Sequence, residues 1–337
     1  MTLQSILATR PIYLGIETTS VCNAACLFCP YRLGLRPRRV MTRDLFQTVV
    51  DQYAGAGGGA VSLSPLTGDV LLDRHLHERL YVLRKRPEIG HVSFHTNALH
   101  WSRLRPSLRD EVRREVDEIT VSLGGPGRNA YAALFGVDGY QRAHDAIADL
   151  CVEREQGPNR PSIRVLFHSI PGPDDPAVAH ETEGLLELGV AGVCHNDGFH
   201  NWGGVITARD LPTGAHLRAV ASLRHEPCAA LYAAPMVLVD GRVIACGCTN
   251  SSGDSLVLGD CTKSSIESIW RNDRFRAIEA SFAASDLEPI CQACSYYEPL
   301  STLTDEPAIA ALQLGESPWR RESDSHLSPT VRWRRRS

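Results

Sequence analysis

From residue 11 to about 205, short β-branched or apolar runs alternate with longer stretches whose apolar positions recur at helical spacing. Strands are predicted at Ile12 to Glu17, Ala60 to Ser64, His91 to His95, Glu118 to Leu123, Ser162 to Phe167 and Gly189 to Cys194. Between them, helices are predicted near Arg43 to Tyr53, Asp73 to Arg86, Trp101 to Val116, Gly139 to Glu153 and Pro176 to Leu188. Thr42 stands ahead of Arg43-Asp44-Leu45, and Pro176 follows Asp175, both ordinary helix starts. Strand and helix in alternation is the pattern of βα units feeding a parallel sheet. Six strands suit a partial barrel, and an open doubly wound sheet gives the same string.

Residues 201–226, with glycines and a proline in the first half, read as a connector to a second, smaller unit beginning at Cys228. Pro235 to Cys246 is two apolar strands around Asp240-Gly241, a hairpin signal. Ser264-Ser265-Ile266-Glu267 has the form of a capping box, and Ile266, Ile269, Trp270, Ile278 and Phe282 approximate one apolar helical stripe. After residue 300 the chain turns polar and reads as a mobile tail. The organisation read from sequence is thus 1–205, a connector at 206–227, a small domain at 228–300, and the tail at 301–337. Gly57-Gly58-Gly59 lacks a phosphate-loop lysine and reads as a helix-to-strand turn.

Composition narrows the class. The chain has 337 residues, of which 43% are hydrophobic and 22% charged, which suits a packed globular protein. A formal charge of -4 lacks the basic excess of nucleic-acid binders. No apolar run approaches the roughly 20 residues that cross a bilayer, and the N-terminus has no signal-peptide pattern, so the expected compartment is the cytoplasm. Eleven cysteines are many for a reducing compartment and odd for a disulfide framework, which points to metal binding or catalysis.

Cys22, Cys26 and Cys29 form a Cys-x3-Cys-x2-Cys triplet directly after the first strand. Three thiolates on one tight loop can hold three irons of a [4Fe-4S] cluster and leave the fourth open to a small molecule. A structural zinc site normally takes four protein ligands, and no fourth Cys or His completes a compact set here. On this motif and its position, the chain resembles the radical S-adenosylmethionine superfamily. That resemblance implies an α/β fold, a partial (β/α)6 TIM-like barrel, and S-adenosylmethionine bound at the open iron and cleaved to a 5'-deoxyadenosyl radical. Thr67-Gly68-Asp69 looks like a variant of the family's Gly-Gly-Glu segment, Thr96-Asn97 is similar to its Thr-Asn-Gly, and Ser122 stands where a cofactor-contacting serine is common. Each also has an ordinary role as a loop or strand-end polar residue. Glu17 either orients substrate or cofactor or satisfies backbone donors.

Downstream, Cys228, Gly241 and Cys246 precede Cys291-x2-Cys294, an arrangement that resembles the twitch domain, a shortened SPASM domain of hairpin plus helix. The resemblance implies a second, fully ligated [4Fe-4S] cluster on Cys228, Cys246, Cys291 and Cys294. A zinc site built on Cys246, Cys248, Cys291 and Cys294 is the alternative. Twitch relatives include dehydrogenases and epimerases of aminocyclitols and aminoglycoside sugars, which remove hydrogen from a carbinol carbon. An epimerase needs a hydrogen-atom donor. Cys261 is the favoured residue and Cys194, at the end of the sixth strand, the runner-up, because barrel active sites lie at C-terminal strand ends. Cys151 reads as buried filler.

The expected function is therefore epimerisation of a sugar or aminoglycoside-type intermediate, with dehydrogenation of a secondary alcohol as the alternative. Peptide modification is a weaker reading, since no recognisable peptide-recognition winged-helix segment precedes the barrel, and a plain electron carrier leaves the cofactor-like segments unexplained. Flavodoxin or ferredoxin is the expected reductant, with no nucleic-acid or membrane partner. Asp69, Asp197 and Asp260 together would make an acidic mouth for an ammonium group, and His195 or His200 a proton acceptor.

Overall fold

The computed structural model describes residues 7, 9–154, 161–170, 172, 174–196, 198–247, 252–303 and 331–335, the last as backbone. Asp197 and Cys248 lie outside the described residues. Six parallel strands run in chain order: β1 (Tyr13–Ile16), β2 (Gly59–Ser62), β3 (Ile89–Thr96), β4 (Glu118–Gly125), β5 (Ser162–Ser169) and β6 (Gly192–Asn196). Each is hydrogen-bonded to the next, with no reversal of order. A doubly wound sheet reverses its order at a switch point, so the continuous order selects the barrel-like alternative that periodicity left open.

The crossover helices are α1 (Arg43–Gly55), α2 (Leu76–Arg84), α3 (Pro106–Glu115), α4 (Gly127–Phe135), α5 (Tyr140–Arg154) and α6 (Pro176–Glu187). Thr42 and Asp175 cap α1 and α6 through their side chains, as their positions predict. The helix predicted from Trp101 begins instead at Pro106: Leu104 and Arg105 are extended, because a residue before proline is pushed out of the α region. Helix α4 is absent from the sequence reading, since Gly124-Gly125-Pro126-Gly127 reads as a turn and hides the short Tyr131, Leu134, Phe135 stripe behind it.

The small domain does not stand apart. Its helix α7 (Ala230–Ala233) leads into β9 (Met236–Val237), which pairs parallel to β1, and β10 (Arg242–Ile244) and β11 (Val257–Asp260) continue the same sheet antiparallel. The predicted single helix after it is two, α8 (Ile266–Ile269) and α9 (Asp273–Ala283), separated where Arg271 takes φ +53° and Asn272 caps α9 by accepting from the Phe275 N–H. A last short helix, α10 (Pro289–Ala293), carries Cys291. Within the connector, β7 (Gly198–Phe199) pairs with β8 (His216–Leu217). At the far edge, β12 (Val331–Arg335) pairs antiparallel to β6. The stretch read as mobile tail thus contributes a strand to the sheet, because β6 ends the parallel series and presents unpaired backbone groups.

One buried ion pair ties these parts together. Glu17, at the end of β1 and 0% exposed, takes both Arg36 Nη atoms at 2.6 and 2.5 Å. The same carboxylate accepts from the N–H groups of Leu66 (3.1 Å), Thr67 (3.4 Å) and Val239 (3.3 Å), so it joins the loop after β2, the loop after the cysteine triplet and the β9–β10 turn. Of the two roles read for Glu17, the structure shows the backbone-satisfying one. Glu17→Gln leaves the Arg36 charge buried and uncompensated, and the expected cost is about 3 kcal/mol or more, read as a lower midpoint in denaturant unfolding.

Candidate radical and cluster site

The triplet loop is held by elements far away in sequence. Ala25 and Leu27 donate their N–H groups to the carbonyls of Phe135 and Leu134 at the end of α4, at 3.0 and 2.9 Å, and Tyr31 Oη donates to the Cys22 carbonyl at 3.0 Å. Gly136, at φ +65°, sits so close that a Cβ there would lie 2.6 Å from the Ala25 carbonyl oxygen. The helix that sequence missed is therefore the clamp of the cysteine loop. Burial lifts the thiol of Cys22 to about 12, of Cys29 to about 11, and of Cys26 well above its ordinary value. Thiols packed this way resist ionisation by themselves, and bound metal cations would supply the missing positive charge.

Asp69 organises one wall. Fully buried, it accepts from Thr96 Oγ1 at 2.9 Å, from the Asn97 N–H at 2.8 Å and from the Leu71 N–H at 3.0 Å, and burial raises its carboxyl to about 6. Asn97 Nδ2 in turn donates to Asn23 Oδ1 at 2.9 Å and lies 3.7 Å from Cys22 Sγ. Gly68, at φ +158°, brings its backbone so near that a Cβ would meet the Thr19 carbonyl oxygen at 2.8 Å. Thr67, Gly68, Asp69, Thr96 and Asn97 thus form one connected wall beside Cys22, in which Asp69 holds other residues in place. Of the acidic mouth, the two members among the described residues are turned to other partners: Asp69 bonds Thr96, Asn97 and Leu71, and Asp260 bonds Thr262 at 2.6 Å and Lys263 at 3.2 Å.

Side chains alternate across each strand, so a few contacts fix which face looks where. His195 bonds Thr182 of α6 at 3.2 Å and meets Phe167 edge-on, which places both on the helix side. Cys194 and Asn196 therefore face the opposite, concave side, where Asn196 Nδ2 lies 3.5 Å from His168 Nδ1. Register puts Ser122, Leu166 and Cys194 in one row, and Gly124, His168 and Asn196 in the next row toward the strand ends. His168 stacks on Phe28, between Cys26 and Cys29, with ring centroids 4.5 Å apart, and burial pushes it down to about 4. Sequence reasoning did not single out His168 or Phe28; the Phe-His pair becomes visible only once β5 and the cysteine loop meet.

Cys261 lies elsewhere. Its N–H donates to the Gly241 carbonyl at 2.8 Å and its carbonyl accepts from Gln52 of α1 at 3.2 Å, so it packs in the seam between the β10–β11 hairpin and α1. The residue favoured as donor from sequence is thus buried against the helix layer, a place reached because β9–β11 extend the sheet past β1. Cys151 is buried in α5, as read.

The four remaining cysteines among the described residues, Cys228, Cys246, Cys291 and Cys294, line one pocket with Leu256 and Phe282. Burial raises Cys228, Cys291 and Cys294, the last two to about 12, and their mutual repulsion adds to it. Arg224 donates to the carbonyls of Cys291 and Cys294, the latter at 2.6 Å, while Asn201 donates to the Ala293 carbonyl at 2.6 Å. Among the described residues no three His, Cys, Asp or Glu side chains converge on one metal-binding point. Thiols grouped around a pocket in this way fit a multi-iron cluster, in which each thiolate takes its own iron. Arg224 and Trp202, whose indole N–H donates to the Phe28 carbonyl at 2.9 Å, were not legible in sequence, since both lie in a connector with no periodic signal.

A barrel-type α/β sheet with a three-cysteine loop after its first strand, followed by a four-cysteine unit, defines a radical enzyme class. The sequence matches the radical SAM superfamily over residues 16–154 and the SPASM iron-sulfur cluster-binding domain over residues 228–295, and the chain belongs to that superfamily. Membership implies S-adenosylmethionine and iron-sulfur clusters as cofactors. Among solved structures, BtrN in complex with AdoMet and 2-DOIA is similar at 16% identity and TM-score 0.55, over 86% of this chain and 94% of that one. Streptococcus suis SuiB bound to precursor peptide SuiA is similar at 14% identity and TM-score 0.59, over 92% and 74%. Native anSMEcpe with bound AdoMet matches at 12% and 0.52, over 84% and 89%. A search of curated proteins gives no match. No helix among the described residues is long and apolar enough to cross a membrane.

Proposed function

We propose that this protein is an epimerase that inverts a carbinol carbon of a sugar or aminoglycoside-type intermediate, with Cys194 as the hydrogen-atom donor. The orientation of Cys194 carries the reading: its side chain faces the concave side of the sheet in the same register row as Ser122. Two strand spacings separate them, about 10 Å. Ser122, Asn196 and His168 add hydrogen-bonding groups to that face, which suits a hydroxyl-bearing ring. The BtrN complex, named for AdoMet and 2-DOIA, supports a substrate of that size and polarity.

Cys22, Cys26 and Cys29 would hold a [4Fe-4S] cluster that supplies, with S-adenosylmethionine, a 5'-deoxyadenosyl radical. Thr67, Gly68, Thr96, Asn97 and Ser122 would contact the cofactor, with Asp69 positioning Asn97. Cys228, Cys246, Cys291 and Cys294 would hold a second cluster, giving two in all. Hydrogen abstraction leaves a carbon radical. The Cys194 S–H bond then breaks and its hydrogen forms the new C–H bond on the opposite face. One electron and one proton restore the thiol, the electron coming from reduced flavodoxin or ferredoxin in the cytoplasm.

Dehydrogenation is the second reading, and His168 favours it. It sits at a strand end on the same face, with Nδ1 3.5 Å from Asn196 Nδ2, where its imidazole could meet the carbinol proton. Turnover in deuterium oxide separates the two, because a thiol exchanges with solvent. An epimer carrying deuterium at the inverted carbon supports the proposal, and a ketone product sinks it in favour of the dehydrogenase. Iron and sulfide analysis tests the cluster count; stoichiometric zinc with one cluster's iron removes the second cluster.

A further inference from the structure

The short stretch 199–204 bridges the two cysteine groups. Phe199 stacks on Phe28 with centroids 5.1 Å apart, and Trp202 reaches the Phe28 carbonyl through its indole N–H. On the other side, Asn201 accepts the Ser295 N–H at 3.0 Å and donates its own N–H to Ser295 Oγ at 2.9 Å. His200 lies between these anchors, packed against the rings of Trp202 and Tyr296.

The backbone fixes the tautomer of His200. The Trp202 N–H points at Nδ1 from 3.3 Å, so Nδ1 is the acceptor and the ring proton is on Nε2. Nε2 lies 3.9 Å from Cys294 Sγ, within reach for a sulfur acceptor. Cys294 Sγ already accepts one backbone donor, the Tyr296 N–H at 3.1 Å.

We infer that His200 donates an Nε2–H hydrogen bond to the Cys294 sulfur and raises the reduction potential of the second cluster. This rests on the reading of Cys228, Cys246, Cys291 and Cys294 as ligands of that cluster. A hydrogen bond to a ligating sulfur stabilises the more electron-rich reduced form, so its loss favours the oxidised form. His200 is a positioning residue in this role. It touches a ligand and neither substrate nor radical.

The test uses the full chain with Cys22, Cys26 and Cys29 replaced by Ala, reconstituted anaerobically so that only the second cluster is present. His200→Phe should keep the iron content and lower the reduced-to-oxidised ratio at fixed ambient potential about tenfold, a shift of about 59 mV for one electron, in a titration followed by electron paramagnetic resonance. His200→Gln, which keeps an N–H donor, should recover part of that shift, which a purely structural role would not produce. Coincident potentials for His200, Phe and Gln overturn the assignment, and so does loss of iron in His200→Phe, which would make the residue a ligand. A parent protein that binds no cluster overturns the second-cluster reading itself, together with this assignment.

Discussion

Replacing any one of Cys22, Cys26 or Cys29 with Ala should abolish 5'-deoxyadenosine formation from S-adenosylmethionine and remove one cluster's share of iron, while leaving the share of the proposed second cluster bound. Changes merely next to a metal site cost about 10- to 100-fold in affinity or activity, so loss of a ligand should exceed about 100-fold. The physical cause is the number of thiolates available. With three on the loop, each iron of the proposed cluster except one would have a protein ligand, and the acidic side chain beside Cys22, Asp69, is already held by Thr96, Asn97 and Leu71. Asn97 touches Cys22 through an amide nitrogen, which donates and cannot replace a thiolate. Product analysis by mass spectrometry under dithionite reduction, paired with iron counting, checks both halves. Wild-type rates of deoxyadenosine formation in Cys26→Ala would defeat the assignment of the loop. Loss of all iron in that variant would mean that the two cysteine groups do not bind independently.

Cys194→Ala should lose the epimer and still make deoxyadenosine, whereas Cys261→Ala should leave the epimer yield near wild type. The contrast follows from direction alone. Both thiols are buried, at 4% and 2% exposure, so accessibility does not choose between them. Cys194 faces the concave side beside Leu166 and opposite in parity to His195, which is held by Thr182 of α6. Cys261 sits against Gln52 in the seam beside α1. Without a thiol the substrate radical has no partner on its far face, and deoxyadenosine accumulates uncoupled from product. Cys194→Ser controls for the cavity, since it keeps the volume and lacks a weak S–H bond. Unchanged epimer yield in Cys194→Ala removes it as donor, and loss of epimer in Cys261→Ala returns the role to the residue that sequence favoured.

Several elements were legible because their signals are local. Thr42 and Asp175 cap helices where they were placed, and Asp240-Gly241 turns the hairpin. The six parallel strands fall within a few residues of their apolar runs, the largest shift being β6, where Gly189 at φ +102° is a turn and strand pairing starts at Gly192. Failures are equally local in origin. A glycine-proline cluster concealed α4, and a positive φ at Arg271 divided a stripe that looks continuous when only apolar spacing is counted.

The sequence by itself determined the chemistry the loop can carry, because thiolate number and spacing are covalent facts: Cys22, Cys26 and Cys29 are close along the chain whatever the fold. It also determined the βα alternation, since apolar periodicity expresses burial segment by segment. Tertiary structure alone decided which thiol faces the concave side, that β9 to β11 continue the barrel's sheet, and that Asp69, Glu17 and His200 hold their neighbours in place. Those outcomes depend on strand parity, register and long-range hydrogen bonds, such as Glu17 to Val239, whose partners are more than two hundred residues apart and share no local pattern.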